Sequence, residues 1–223
     1  SSSPILKNLI ITNNTAYIGG GINLIDESSP TIKNCTISGN IATYAGGGIR
    51  CRSYCSPKIE TVIISGNTAS QLGGGIHCLS NSNPAFTNVT ISENTAGYGG
   101  GAHISGSSPN LFNMSISENT ASTDGGGLYC TGSDPTLTNV YITNNEAING
   151  GGLFSSHTPS PILINVTIAG NSASQGGGIF NTNWSTPTLM NTILWDNLSE
   201  EIFIESGTVT ATYSNIQGGW DGE

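Results

Sequence analysis

The sequence predicts a right-handed parallel β-helix, an all-β solenoid of about eight coils, each 25–27 residues long and carrying three short strands. Three observations predict it. Prolines fall at 4, 30, 57, 84, 109, 135, 161 and 187. After each one the same residue types return at the same distances, and a fixed internal period is the mark of stacked repeats. Within a repeat the apolar residues alternate with period two over short runs, and the glycine density excludes helices. Stacking pairs each strand with its equivalent in the next coil, in parallel, and the handedness of such connections favours the right-handed form.

The elements follow in order. Two residues after each proline comes an apolar position: Leu6, Ile32, Ile59, Phe86, Leu111, Leu137, Leu163 and Leu189. Five after comes Leu9, Cys35, Val62, Val89, Met114, Val140, Val166 or Thr192, and seven after comes Ile11, Ile37, Ile64, Ile91, Ile116, Ile142, Ile168 or Leu194. An odd step followed by an even one cannot keep all three on one face of a straight strand, so the chain must bend between the first and second. Asn stands at that bend (Asn8, Asn34, Asn88, Asn113, Asn139, Asn165, Asn191), with Thr61 as the exception. Ten after each proline is another Asn: 14, 40, 67, 94, 119, 145, 171 and 197. Asn tolerates left-handed backbone and, stacked on itself at about 4.8 Å, can form an amide ladder. Two corners are therefore expected at the two Asn columns.

Glycine triplets (19–21, 46–48, 73–75, 99–101, 125–127, 150–152, 176–178) open the third strand. Ile22, Ile49, Ile76, Ala102, Leu128, Leu153 and Ile179 then point inward, followed two residues on by Leu24, Cys51, Cys78, Ile104, Cys130, Ser155 and Asn181. A polar turn leads to the next proline. The whole chain reads as one repeat domain, residues 1–223, with regular coils over 4–198 and an irregular terminal coil over 199–223. Starting and stopping in phase with the repeat, it is expected to be an excerpt of a longer protein, and uncapped solenoid edges predispose the fragment to end-to-end self-association.

Charge narrows the function classes. The net charge is −9, yet all five basic residues (Lys7, Lys33, Arg50, Arg52, Lys58) lie in the first 58 positions. With Asp26 and Glu27 that stretch is +3, leaving −12 for residues 59–223. No basic stripe runs along the rod, which argues against nucleic acid and anionic lipid as partners. No run is long and apolar enough to insert in a membrane.

The repeats resemble those of right-handed parallel β-helix proteins. They are similar to repeats of the chlamydial polymorphic outer membrane proteins, an autotransporter-passenger-like group. Where those carry Gly-Gly-Ala-Ile and Phe-x-x-Asn, this chain carries Gly-Gly-Gly-Ile and Ile-x-x-Asn, and its closing "ATYSNIQGGWDGE" is similar to segments of large bacterial surface proteins. The resemblance implies an extracellular or cell-surface location and an adhesive role. Polysaccharide lyases and glycoside hydrolases share the fold and give the alternative, with catalytic loops outside this segment. Within it, corners vary by a single residue, and a catalytic cleft on such a scaffold needs long loops. Glu93 and Glu118 are neighbours in one column and read as solvated turn residues. No catalytic residue and no cofactor is expected.

His77 and His103 share a column one coil apart, but two ligands make a poor metal site. Of the five cysteines, Cys51, Cys78 and Cys130 belong to an inner column and read as small buried hydrophobes, while Cys51 and Cys55 are the candidate disulfide if one forms. Seven N-x-S/T sequons occur, four of them on the Asn corner, where structural use outweighs glycosylation. Flat Thr arrays would suggest ice binding, but Ile63, Tyr141, Ile193 and Trp195 interrupt the pattern. The sharpest lead is the outward column beside the glycine strand: Asn23, then Arg50, His77, His103, Tyr129, Phe154 and Phe180. Alternation turns it from the core, so an exposed aromatic ribbon is expected, suited to polysaccharide or a surface protein, or else to cross-strand stacking alone.

Overall fold

The computed structural model describes residues 3–158 and 160–220. Among these the strands form three parallel sheets of 16, 5 and 8 strands. The 16-stranded sheet takes two short strands from most coils, such as Ile5–Lys7 and Ile10–Thr12, and one continuous strand from two of them, Asn110–Ser117 and Thr136–Thr143. The 8-stranded sheet runs from Ile22–Ile25 to Ile202–Ile204. Register is one coil per step throughout: Leu6 lies beside Ile32, Ile64 beside Ile91, and Cys51 beside Cys78. The columns expected to line the lumen do so, with Ile32, Ile59, Leu137, Ile142, Leu153 and Leu194 fully buried. Each such side chain contributes about 1.5–3 kcal/mol.

The corners follow from single left-handed residues. Asn8, Asn34, Asn88, Asn113, Asn139, Asn165 and Asn191 all have φ between 50° and 56°. Their exposed carboxamides link coil to coil, as in Asn139 Nδ2 donating to Asn113 Oδ1 at 3.0 Å. Thr61 is forced into the same conformation (φ 53°). A β-branched side chain is strained there by about 1–2 kcal/mol. Thr61→Asn is therefore expected to stabilise the protein by about 1 kcal/mol, raising its thermal midpoint by about 2–4 °C in calorimetry.

At the second corner the left-handed residue is the one before the ladder Asn: Asn13, Gly39, Gly66, Glu93, Glu118, Asn144, Gly170 or Asp196. The Asn itself turns inward. From Asn40 to Asn171 the column is at most 1% exposed. Each Asn donates its main-chain N–H and its Nδ2 to Oδ1 of the next, and Nδ2 also to an Ile carbonyl of the preceding coil; for Asn94 these are Asn119 Oδ1, twice at 3.0 Å, and Ile64 O at 3.0 Å. Glu201 closes the column by accepting from Asn197. Buried polar groups left without partners are costly. Asn119→Ala strands the main-chain N–H and one Nδ2–H of Asn94 and is expected to lower stability by about 3 kcal/mol in denaturant unfolding. At the third corner a serine column repeats the device, with Ser82 N–H donating to Ser107 Oγ and Ser107 N–H to Ser133 Oγ.

One sheet was not foreseen. After the ladder Asn, the segments Thr15–Ile18, Ile41–Ala45, Thr68–Ala69, Thr95–Tyr98 and Thr120–Asp124 form the 5-stranded sheet. Ala42, Ala69 and Ala96 make a small core of their own behind it, separate from the main lumen. The glycine triplet divides the two. A Cβ on Gly74 would meet Thr95 O at 2.6 Å and Gly100 O at 2.5 Å, so its backbone runs against the opposite wall of the next coil. The coil thus has a main lumen and a narrow side lobe.

Candidate functional site

The outward column lies in the re-entrant angle between that lobe and the 8-stranded sheet. The first glycine of each triplet turns the chain back on itself (Gly125, φ 69°), and a Cβ on it would fall 2.8 Å from that of Tyr129. The rings of His103, Tyr129, Phe154, Phe180 and Phe203 stack in successive coils, with centroids 4.7–5.0 Å apart. His77 meets His103 edge-on at 5.1 Å, and Tyr98, from the rim of the lobe, meets Tyr129 edge-on at 5.7 Å.

The expected exposure is therefore corrected. Arg50, His77, His103, Phe154 and Phe180 are only 3–7% exposed, Tyr129 is half-buried, and Asn23 alone is open. From Tyr129 to Phe180 each ring has a stacked neighbour on both sides, so the column is a buried stack and not an open platform for a sugar. Phe203 extends the stack but was not legible, because Glu200 and Glu201 stand where a glycine triplet would have flagged the strand.

Electrostatics in this crevice follow from burial. Desolvation lowers His77 to about 3, helped by His103 and Arg50, and lowers His103 to about 4. Both rings are neutral at pH 7, and the Nδ1 of each is without a partner. Arg50 is also lowered, by burial and then by Arg52, and donates from Nη1 to Asn23 Oδ1 at 3.3 Å. Burial pushes Tyr129 up to about 12, with Asp124 adding to the effect. Asp124 is itself raised by burial and accepts from Asn149 Nδ2 at 2.8 Å. Among the described residues no three His, Cys, Asp or Glu side chains gather as a metal site.

Other candidates separate cleanly. Glu93 and Glu118 are exposed at left-handed corner positions, each with φ 57°. All five cysteines are buried and unbridged. Cys51 faces the lumen beside Cys78, whereas Cys55 takes the serine column's place, its N–H donating to Ser82 Oγ, so the pairing suggested by "CRSYC" is not made. Burial holds Cys130 up to about 12, while Cys51 is raised by its hydrogen bond with Cys78 and then by burial.

Solvent is met by the outer face of the 16-stranded sheet and by the 5-stranded sheet, where Tyr17 and Tyr44 stack in the open at 5.6 Å. On the 16-stranded face Tyr141 is 60% exposed, with Ile63, Ile193 and Trp195 also open. A groove of about 530 Å³ crosses three coils of this face, lined by Asn88, Val89, Thr90, Asn113, Met114, Ser115, Asn139 and Tyr141. It lies along the first Asn corner.

With that geometry in view, the family described as right handed beta helix region matches residues 1–121 and again 74–222. The chain belongs to the right-handed β-helix family. The two overlapping matches span nearly all of the sequence, as expected for a repeat that can be entered at more than one coil. No curated protein and no solved structure matches it. No helix among the described residues is long and apolar enough to cross a membrane. For this β-helix, the groove along the Asn corner replaces the ring column as the candidate contact surface.

Proposed function

We propose that this β-helix is an extracellular or cell-surface scaffold, a rigid spacer whose outer sheet face binds polysaccharide or a surface protein without chemistry of its own. The observation that carries this reading is the uniformity of the coils: prolines recur every 25–27 residues, and among the described residues strand follows strand through short connections at each corner. The resemblance of the Gly-Gly-Gly-Ile and Ile-x-x-Asn repeats to polymorphic outer membrane proteins supports the location. The lyase or hydrolase alternative would place its catalytic loops outside this segment.

Retention on immobilised polysaccharides and on surface-protein extracts, with reducing ends and unsaturated products assayed in the eluate, tests it. Retention without product supports the scaffold reading. Product release would favour the enzyme, and absence of retention on every matrix would reduce the segment to a spacer.

A further inference from the structure

The groove on the 16-stranded sheet is built from equivalent residues of successive coils. Asn88, Val89 and Thr90 are followed by Asn113, Met114 and Ser115, and then by Asn139 and Tyr141. Left-handed backbone at the three Asn residues (φ 55°, 52° and 56°) holds their exposed carboxamides in one row. Asn113 Nδ2 donates to Asn88 Oδ1 at 3.4 Å, Asn139 Nδ2 to Asn113 Oδ1 at 3.0 Å, and Asn165 Nδ2 to Asn139 Oδ1 at 3.2 Å. Asn113 and Asn139 thus each keep one N–H and one oxygen lone pair for another partner, and Asn88 keeps both N–H groups and one lone pair. Thr61, in the coil before, offers Asn88 no carboxamide oxygen. The hydroxyls of Thr90 and Ser115 are half-buried beside the row, Val89 and Met114 form its floor, and the Tyr141 ring stands open at one end.

No charged side chain lines the groove. Glu93 and Glu118 lie past the ends of the same strands at the next corner, and residues 59–223 carry a net −12. That field disfavours a carboxylated polymer. Main-chain groups of the sheet are already paired coil to coil, so the face offers no edge to which a peptide could add as a strand. One open ring and a small apolar floor are also too little for the buried anchors that a protein partner needs. Paired amide donors and acceptors repeating once per coil, with a single aromatic platform, suit a chain of uncharged hydroxylated rings.

We propose that this groove is a binding site for a neutral polysaccharide lying parallel to the rod axis, with Tyr141 stacked on one sugar and the carboxamides of Asn88, Asn113 and Asn139 bonded to hydroxyls of its neighbours. This rests on the scaffold reading and makes it specific. Affinity electrophoresis through gels containing xylan, mixed-linkage glucan, glucomannan or amylose, with polygalacturonate and alginate as acidic counterparts, tests it. Wild type is expected to be retarded by at least one neutral polymer and by neither acidic one. Tyr141→Ser should weaken binding at least tenfold, and Asn113→Gly several-fold. Both should leave the fold intact, since Ser115 occupies the same column and glycine accepts the corner conformation. Trp195→Ser, on the same sheet outside the groove, should bind as wild type does. Retardation by acidic polymers alone, or unchanged affinity in Tyr141→Ser, would overturn this site while leaving a binding scaffold in place. Retention only by a protein matrix would overturn it in the same way, whereas no retention on any matrix would overturn this site and the binding part of the scaffold reading, leaving a spacer.

Discussion

Gly74→Ala is expected to cost at least about 4 kcal/mol, enough to unfold the middle of the rod. Its Cβ would lie 2.5 Å from Gly100 O, 2.6 Å from Thr95 O and 2.7 Å from Thr95 N, all of them main chain. A side chain can rotate away from such a contact; a backbone in a stacked coil cannot. Relief would require the coils to part, at the expense of the bonds from Gly74 N–H to Gly99 O and Gly75 N–H to Gly100 O, each 3.2 Å. Gly66→Ala is the control. It has a left-handed φ of 61°, but the space around it is open, with only Gly39 N at 4.0 Å. There the substitution should cost only the backbone strain, about 1 kcal/mol. Denaturant unfolding of both variants decides the matter: equal losses would mean that the glycine strand is not packed against the lobe as described.

Acid should destabilise the protein through His77 and His103. Above pH 6.5 both are neutral whether the chain is folded or not, so they contribute no proton-linked change. As pH falls below 6.5 the unfolded chain takes up two protons that the folded crevice refuses until about pH 3 for His77 and about pH 4 for His103. Stability is therefore full above the unfolded value and is lost on the way down. Each unit of pH in that window removes about 1.4 kcal/mol per histidine, on the order of 5 kcal/mol in all by pH 4. For His77 that resistance comes from burial first, then from His103 and Arg50. His77→Phe/His103→Phe carries on the ring stack that Phe154 and Phe180 already make and removes the titration. Its unfolding free energy should fall by less than about 2 kcal/mol between pH 6.5 and 4. An acid loss unchanged in this variant would assign the effect to other groups.

Much of this fold was legible. The proline metronome gave the coil length, and the odd step from Leu6 to Leu9 placed a bend where Asn8 has φ 56°. The second Asn column was read as a corner. It is instead an inward ladder, with the bend one residue earlier, because a carboxamide that can be satisfied on every side is more useful inside than at the turn. The Thr-Ala and Ile-Ala pairs after the ladder (Thr15-Ala16, Ile41-Ala42, Thr68-Ala69) carried the signal of the 5-stranded sheet, but runs this short do not distinguish a strand from a turn. Tyr141 was noticed only as an interruption of a threonine array, since nothing in its own coil shows that it closes a groove begun two coils earlier.

The ring column is the instructive case. Alternation along Ile76, His77 and Cys78 correctly put His77 on the side away from the lumen. It could not say what else lay on that side. By itself the sequence determined the coil period, the first Asn corner and the residues facing the lumen, because these follow from neighbours in the chain: a two-residue alternation, a left-handed Asn, a proline. Only the tertiary structure decided which outward column meets solvent. That depends on a side lobe held in place where glycine backbone touches the main chain of the next coil, a contact between residues some twenty positions apart.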